Sequence, residues 1–160
     1  LLRPILLSTG LLVSGLVWAQ PTVILVRHGE KLDSSRDPVL SAAGEARAQR
    51  LAQMLAASGI RAIYTTEYRR TVMLAAPLAK QLAIPSVVVP GAEQDALLKR
   101  IAAHKSNETV LVVGHSNTVP ALLKALGHPE EVKIDESEFD NLFVLVPKEG
   151  KAPTVVRLKY

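Results

Sequence analysis

The 160-residue sequence contains no cysteine and very few aromatic residues. Without cysteine the chain has no thiolate nucleophile, no zinc–thiolate site and no disulfide, and cysteine usage leaves its redox compartment undetermined. Only 4% of the residues are Phe, Trp or Tyr, and no basic run is interleaved with aromatic side chains. A protein that binds single-stranded nucleic acid needs such stacking rings. The sequence therefore argues against nucleic acid as a partner.

The charge excess is small and positive. The net charge is +4 at pH 7 and the sequence pI is about 9.5, a mild basic excess that favours an anionic ligand. Hydrophobic residues make up 48% of the chain and charged residues 21%, and no internal repeat is visible. This length and composition are typical of one compact domain with a sizeable core, which we place at residues 20–160.

The first nineteen residues have the pattern of an export signal. Arg3 precedes an apolar run over residues 5–18, and small or branched residues stand before Gln20, where a signal peptidase would cleave. We therefore predict a signal peptide at residues 1–19 and a mature protein that is periplasmic or secreted. The run is short for a membrane span, so an uncleaved membrane tether is the alternative.

Two apolar runs dominate the rest of the chain. Residues 23–26 and 109–113 show no polar alternation, which is typical of strands buried on both faces at the centre of a parallel sheet. With the elements between them they predict an α/β fold, a three-layer α/β/α sandwich with a mostly parallel sheet and an antiparallel C-terminal hairpin. After the first strand we predict a helix that is capped by Ser41, ends at Gly59 and has an apolar stripe of Ala46, Leu51, Met54 and Leu55. The remaining predicted elements are strands at 61–65 and 86–89, helices at 66–82, 93–104 and 118–126, and hairpin strands at 142–146 and 154–158.

Two polar segments are predicted to be loops. Residues 31–40 have a turn-forming composition and follow the first strand, so they should form the rim of a crevice at its carboxyl end. Residues 127–141 carry six carboxylates, which favours a solvated loop over a ligand-binding segment. His104 and His128, in a helix tail and in this second loop, are interpreted as ordinary surface residues.

A histidine follows each apolar run at the same distance. His28 and His115 each stand two residues after the last valine of a predicted strand. If these strands are neighbours, about 4.8 Å apart, both imidazoles meet at the edge where open α/β sheets bind ligands. Arg27 and Arg70 can reach the same edge, and guanidinium groups match phosphoryl oxygens. The residues therefore predict a binding site for a phosphoryl group.

Other interpretations of these residues are open on sequence grounds. A single histidine is more often structural, and the pair could instead ligate a metal ion. The neighbouring arginines oppose a bound cation and favour an anion, so we predict no metal site. Arg69 and Arg70 could also form a solvated helix face, and only the helix register separates them.

Four segments also carry a family resemblance. They are RHG at 27–29, LSAAGE at 40–45, YTTEYRR at 64–70 and VGH at 113–115. In order and spacing the chain resembles the histidine phosphatase superfamily, with its phosphoglycerate-mutase-like fold, over residues 22–126. The resemblance favours Arg70 over Arg69, because the family places its second arginine six residues after the position of Tyr64.

The resemblance implies a phosphomonoester hydrolase acting on a small phosphorylated substrate, such as a sugar or cell-envelope phosphate. His28 would attack phosphorus to give a phosphohistidine, while Arg27, Arg70 and His115 hold the phosphoryl oxygens. A neutral imidazole is a competent nucleophile without a metal, so no cofactor is expected. The alternatives are a non-catalytic phosphate-binding module and a phosphoprotein (phosphohistidine) phosphatase, the latter disfavoured by the predicted export.

The remaining predicted site residues include departures from the family pattern. Lys31 stands where many members have threonine or serine, and Met73 replaces a common glutamine. Where the acid-phosphatase branch has an aspartate after its second histidine, this chain has Ser116. The other branch uses a glutamate after the third strand, so we predict Glu93 as the proton donor, with Asp95 as the alternative. The predicted substrate-binding set is completed by Ser116, Asn117 and Lys31.

Overall fold

A computed structural model describes residues 20–160. The predicted signal peptide, residues 1–19, lies outside the described residues. Among residues 20–160, no helix combines the length and the apolar character needed to cross a membrane.

Strands and helices alternate through the first four strands, and a hairpin completes the sheet. The sheet order is β3-β2-β4-β1-β5-β6, with β1 to β4 parallel and β5 and β6 antiparallel. This confirms the predicted α/β fold and its C-terminal hairpin. The elements are β1 (Thr22–Arg27), α1 (Ala42–Leu55), β2 (Ile60–Thr65), α2 (Arg69–Leu82), β3 (Ser86–Val88), α3 (Gln94–Ala102), β4 (Thr109–Gly114), α4 (Thr118–Ala125), β5 (Asn141–Lys148) and β6 (Lys151–Lys159).

The buried strands explain why the apolar runs show no alternation. In β1, Ile24 and Val26 pack in the core that contains α1 and α2, whereas Val23 and Leu25 pack in the core on the other face, with α3 and α4. All four side chains are buried because helices cover both faces of the sheet.

The register between β1 and β4 positions the two histidines. These strands pair in parallel, and Arg27, the last residue of β1, lies opposite Gly114, the last residue of β4. The His28 backbone N–H then donates to the Gly114 carbonyl over 2.9 Å. The two predicted strands are therefore sheet neighbours, as the histidine spacing required, and His28 and His115 leave the sheet at the same level.

Helix α1 begins as predicted, but its buried face differs from the prediction. The Ser41 side chain accepts a hydrogen bond from the Gly44 backbone N–H, which is an N-cap interaction. The helix ends at Leu55, four residues before Gly59. The buried residues are Gly44, Ala48, Leu51, Ala52 and Leu55, whereas the predicted Ala46 and Met54 are exposed. Gly44 packs closely on the backbone of Gly29 and Glu30, which follow β1, and this contact turns its face of the helix inward.

Helix α2 begins at Arg69, three residues later than predicted. Thr66 stays outside the helix because its hydroxyl is hydrogen-bonded to His115 and Thr71. The Arg69 backbone N–H, one of the free donors of the first turn, is accepted by the Asp37 carboxylate at 2.9 Å. The other helices and β3 end one or two residues inside their predicted bounds.

Candidate active site

A cavity opens at the carboxyl edge of β1, β2 and β4. It brings together every predicted site residue except Glu93, and it adds two carboxylates that were not predicted. The lining residues are Arg27, His28, Lys31, Glu67, Tyr68, Arg70, Gly91, Ala92, His115, Ser116, Asn117, Thr118 and Glu136. This is where parallel α/β sheets place their ligands.

His28 is held as a neutral imidazole with one free nitrogen. Its Nδ1 lies 2.8 Å from the Gly29 carbonyl oxygen, which can only accept, so Nδ1 carries the proton. Burial lowers the pKa of His28 to about 3, aided by the charges of Arg70 and Arg27 and opposed by the hydrogen bond to Gly29. Nε2 of His28 therefore carries an available lone pair at neutral pH.

His115 is also neutral, and both of its nitrogens have partners. Nδ1 lies 3.4 Å from Nη2 of Arg70, which donates, so Nε2 carries the proton and donates to the Thr66 hydroxyl at 2.9 Å. Burial and the charge of Arg70 lower the pKa of His115 to about 4. The long bond to Arg70 is weak, so a ligand can take its place at little cost.

A chain of hydrogen-bonded hydroxyl groups holds the His115 ring in place. Thr66 Oγ1 lies 3.0 Å from Thr71 Oγ1, which in turn donates to the Tyr68 carbonyl at 2.7 Å. All these donors point away from His115, which fixes its tautomer and its ring orientation. No sequence signal singled out Thr66 or Thr71, because threonine is common at strand and helix ends.

Arg27 is almost completely buried and holds the loop at 127–141. Its Nη1 donates to the carbonyls of Asp135 and Glu138, at 2.7 and 3.0 Å, and its Nη2 donates to the Glu136 carboxylate at 2.8 Å. The guanidinium also lies over the Phe139 ring, 4.3 Å from its centroid. The prediction of a merely solvated loop is therefore wrong for this part of the segment, because it packs on the active-site arginine.

Arg70 and Arg27 both line the cavity and both keep unused donors. Arg70 stacks on Tyr68 at 4.3 Å and lies 3.9 Å from the Asp37 carboxylate. Within residues 20–160, Nε of Arg27 and both Nε and Nη1 of Arg70 are buried without a hydrogen-bond acceptor. Arg69, by contrast, has an exposed side chain. Buried N–H groups without acceptors are suited to an oxyanion.

The other predicted binding residues lie at the mouth of the cavity. Ser116 donates to the second carboxylate oxygen of Glu136 at 2.6 Å. Asn117 occupies the N-cap position of α4, but its side chain makes no capping hydrogen bond. Lys31 is exposed on the rim, where its backbone pairs with Leu40 in an isolated bridge.

Glu93 lies outside this cavity. It is the exposed residue at the N-cap position of α3, and it borders a small apolar cavity beside Val89. Asp95, the predicted alternative, is in the first turn of α3 and does not line the active-site cavity either. The carboxyl group at the end of β2 is Glu67, which accepts the Gly91 backbone N–H at 2.9 Å. Glu67 belongs to the YTTEYRR motif, but the sequence-based prediction for that motif concerned only its two arginines.

His104 is not an ordinary surface residue, contrary to the prediction. Its Nε2 lies 2.9 Å from the Tyr64 hydroxyl and its Nδ1 lies 2.8 Å from the Glu108 carboxylate. Glu108 follows at i+4 and Tyr64 comes from β2, so the imidazole ties the end of α3 to the sheet. In the described part of the chain, no group of three or more His, Asp or Glu side chains could hold a metal ion.

The sequence model of the histidine phosphatase superfamily (branch 1) matches residues 23–94, which include His28 and Arg70. Over these residues the chain matches the histidine phosphatase superfamily. No curated protein sequence is significantly similar to it.

Several solved structures have the same fold as this chain. A protein of Agrobacterium tumefaciens assigned as the phosphohistidine phosphatase SixA has a TM-score of 0.68 and 21% identity, covering 87% of this chain and 98% of its own. The protein histidine phosphatase SixA in complex with tungstate has a TM-score of 0.64 and 18% identity, covering 86% of this chain and 96% of its own. A mycobacterial glucosyl-3-phosphoglycerate phosphatase has a TM-score of 0.67 and 13% identity, covering 88% of this chain and 98% of its own. At these identities the likeness shows the fold alone.

Proposed function

We propose that this chain is a phosphomonoester hydrolase that acts through a phosphohistidine at His28. The observation that carries the proposal is the neutral His28, whose free Nε2 shares one cavity with the unpartnered guanidinium N–H groups of Arg27 and Arg70. A nucleophile next to anion-binding donors is the arrangement that phosphoryl transfer requires.

The reaction proceeds in two displacements. Nε2 of His28 forms a bond to phosphorus, the ester P–O bond breaks, and the leaving alkoxide takes a proton. Water then attacks the phosphohistidine and gives a proton to the carboxylate that protonated the leaving oxygen, the N–P bond breaks, and inorganic phosphate leaves. Arg27 and Arg70 stabilise the charge on the equatorial oxygens in both steps, and His115 donates to one of them once ligand binding has protonated it. None of these steps draws on a metal ion or other cofactor.

Glu67 is the carboxyl group we assign to protonating the leaving oxygen, with a proton that it takes up when the phosphorylated substrate binds. It lines the cavity, and only one of its oxygens is used by the Gly91 N–H. The other cavity carboxylate is unsuited to donating a proton, because the hydrogen bond from Ser116 and the charge of Arg27 lower the pKa of Glu136. A group that stays ionised cannot act as a general acid.

The substrate class we propose is small phosphorylated molecules, and two observations favour it. Residues 23–94 match the sequence model of a phosphatase superfamily. A protein of the same fold is named for its action on a glucosyl phosphoglycerate.

Rapid-quench labelling tests the mechanism. Mixing the protein with ³²P-labelled p-nitrophenyl phosphate and quenching in base should trap acid-labile phosphate on His28, with a chelator present throughout. The matched control is His104→Gln, which removes a half-buried imidazole outside the cavity and should label like the wild type. Steady turnover without label on His28 would contradict the covalent mechanism, and absence of turnover would contradict the hydrolase itself.

Export of the mature chain from about Gln20 is part of the same proposal, and its support is the N-terminal sequence pattern alone. Expression of the full chain in a bacterial host followed by N-terminal sequencing of the periplasmic fraction tests it. An intact N-terminus recovered from the cytoplasm would contradict export, and an intact N-terminus in the membrane fraction would favour the tether.

A further inference from the structure

Each arginine of the cavity already has a carboxylate beside it. Nη2 of Arg27 donates to Glu136 at 2.8 Å, and Nη1 of Arg70 lies 3.9 Å from Asp37. Both carboxylates come from the rim loops and neither comes from the sheet. The cations that would bind a phosphoryl group are therefore partly balanced before any ligand arrives.

Glu136 is the closer of the two partners and lies in the cavity wall. Its second oxygen accepts a hydrogen bond from Ser116 at 2.6 Å, yet 79% of its side chain remains exposed. The Ser116 hydrogen bond and the charges of Arg27 and Lys31 lower the pKa of Glu136. A full negative charge therefore stands at the mouth of the cavity at neutral pH.

Arg27 can bind a phosphoryl oxygen without releasing Glu136. A guanidinium has five N–H groups. Both hydrogens of Nη1 go to the carbonyls of Asp135 and Glu138, and one hydrogen of Nη2 goes to Glu136. Nε and the second hydrogen of Nη2 remain, and Nε has no acceptor within residues 20–160. The carboxylate can thus stay in place beside a bound phosphoryl group.

The side chains in and beside the cavity leave no surplus of positive charge. Both histidines are neutral at pH 7, since burial lowers the pKa of each. The remaining charged groups are three cations and three carboxylates, namely Arg27, Arg70, Lys31, Glu67, Asp37 and Glu136. The free N–H donors of the arginines suit one phosphoryl group, but no cation is left over for a second anionic group on the same substrate.

We propose that Glu136 is a specificity-determining residue. It selects phosphomonoesters whose alcohol part carries hydroxyl or ammonium groups, and it rejects those with a carboxylate or a second phosphate near the ester. The inference rests on the proposed binding of phosphomonoesters in this cavity. The Glu136 carboxylate accepts a hydrogen bond from a hydroxyl, whereas its repulsion of a like charge a few ångströms away amounts to about tenfold in relative rate at ordinary ionic strength.

Two esters of the same length test this selection. Glycerol 3-phosphate and 3-phosphoglycerate differ only in a CH₂OH group against a carboxylate at the far carbon. The wild type should prefer glycerol 3-phosphate in kcat/KM, and Glu136→Gln should lower that preference about tenfold, because glutamine keeps the size and the acceptor but loses the charge. Loss of Arg27 positioning would slow both esters alike and would cancel in the ratio.

The matched control is Glu130→Gln, which removes an exposed carboxylate of the same loop outside the cavity and should leave the preference unchanged within about twofold. Raising the salt concentration from about 0.05 to about 0.5 M should reduce the preference of the wild type but not that of Glu136→Gln.

Each result bears on one claim. An unchanged preference in Glu136→Gln, or an equal change in Glu130→Gln, would overturn the role of Glu136 while leaving the hydrolase intact. If the wild type hydrolyses neither ester nor p-nitrophenyl phosphate, the hydrolase is wrong, and calorimetric affinities of the two esters then decide about Glu136. Equal affinities, or no binding of either ester, would overturn the charge selection as well.

Discussion

The imidazole rings of His28 and His115 lie edge to face, with centroids 5.2 Å apart and planes inclined by 63°. Two protonated histidines at this distance would repel each other, but burial keeps both rings neutral at pH 7. The arrangement follows from the in-register pairing of β1 with β4. It places a nucleophile and a ligand-binding ring at one sheet edge, and the following predictions depend on it.

Arg70→Ala should lower kcat/KM for p-nitrophenyl phosphate about a hundredfold or more, a loss of roughly 3 kcal/mol of transition-state stabilisation. The physical reason is the loss of a cavity-lining guanidinium with two buried, unpartnered N–H groups, which are available to a phosphoryl group. Arg69→Ala is the matched control and should cost little, because its side chain is exposed. Similar losses for the two variants would show that the substrate does not bind beside Arg70.

The pH dependence of stability follows from the two buried imidazoles. Each binds a proton below pH 6.5 when the chain is unfolded, but in the folded protein only below about 3 for His28 and about 4 for His115. The unfolded state therefore binds more protons as the pH falls from 6.5, and folding stability is lost over this range. Between about pH 7 and 5 the pair should remove on the order of 4 kcal/mol from the free energy of unfolding, measured with urea.

The control for this pH effect is His28→Gln, which removes one of the two groups and should roughly halve the difference between about pH 7 and 5. Asp and Glu residues contribute little over this interval, since their ordinary pKa values lie lower. NMR titration of the imidazole protons gives a direct check, and midpoints near the ordinary value of 6.5 for both rings would refute the prediction.

The proton donor can be identified by its dependence on the leaving group. Glu67→Gln should slow an alkyl phosphate at least tenfold more than p-nitrophenyl phosphate, whose leaving group needs no proton. Glu93→Gln is the control, because Glu93 lies outside the cavity, and it should affect both substrates equally and little. A selective effect in Glu93→Gln instead would restore the donor predicted from the family resemblance.

Gly44→Ala should destabilise the protein by about 1–3 kcal/mol, the usual cost of overpacking, although alanine is normally the better helix former. A Cβ at this position would collide with the Glu30 carbonyl oxygen and lie 3.1 Å from the Leu40 Cβ. Gly91→Ala is the control for stability, since its Cβ would meet no atom closer than 3.6 Å. Thermal unfolding of the three proteins decides, and a gain in stability for Gly44→Ala would contradict this packing.

Local patterns in the sequence determined the strands, the helices and much of the site. The unbroken apolar runs of β1 and β4 indicated burial on both faces, and the equal spacing to His28 and His115 indicated a common edge. These features depend on the periodicity of neighbouring residues and on the direction of parallel strands, so one sequence suffices to show them. The choice of Arg70 over Arg69 came instead from the family resemblance.

Only the tertiary structure decided which side chains complete the cavity. The Glu136 carboxylate meets Arg27 although the two residues are 109 positions apart in the chain, and nothing local distinguishes it from the other carboxylates of its loop. The tautomers of His28 and His115 depend on their partners, the Gly29 carbonyl and the Thr66 hydroxyl, and the choice of Glu67 over Glu93 depends on where α3 begins. Contacts between distant segments arise from the packing of whole elements, and neither periodicity nor composition encodes the final direction of a polar side chain.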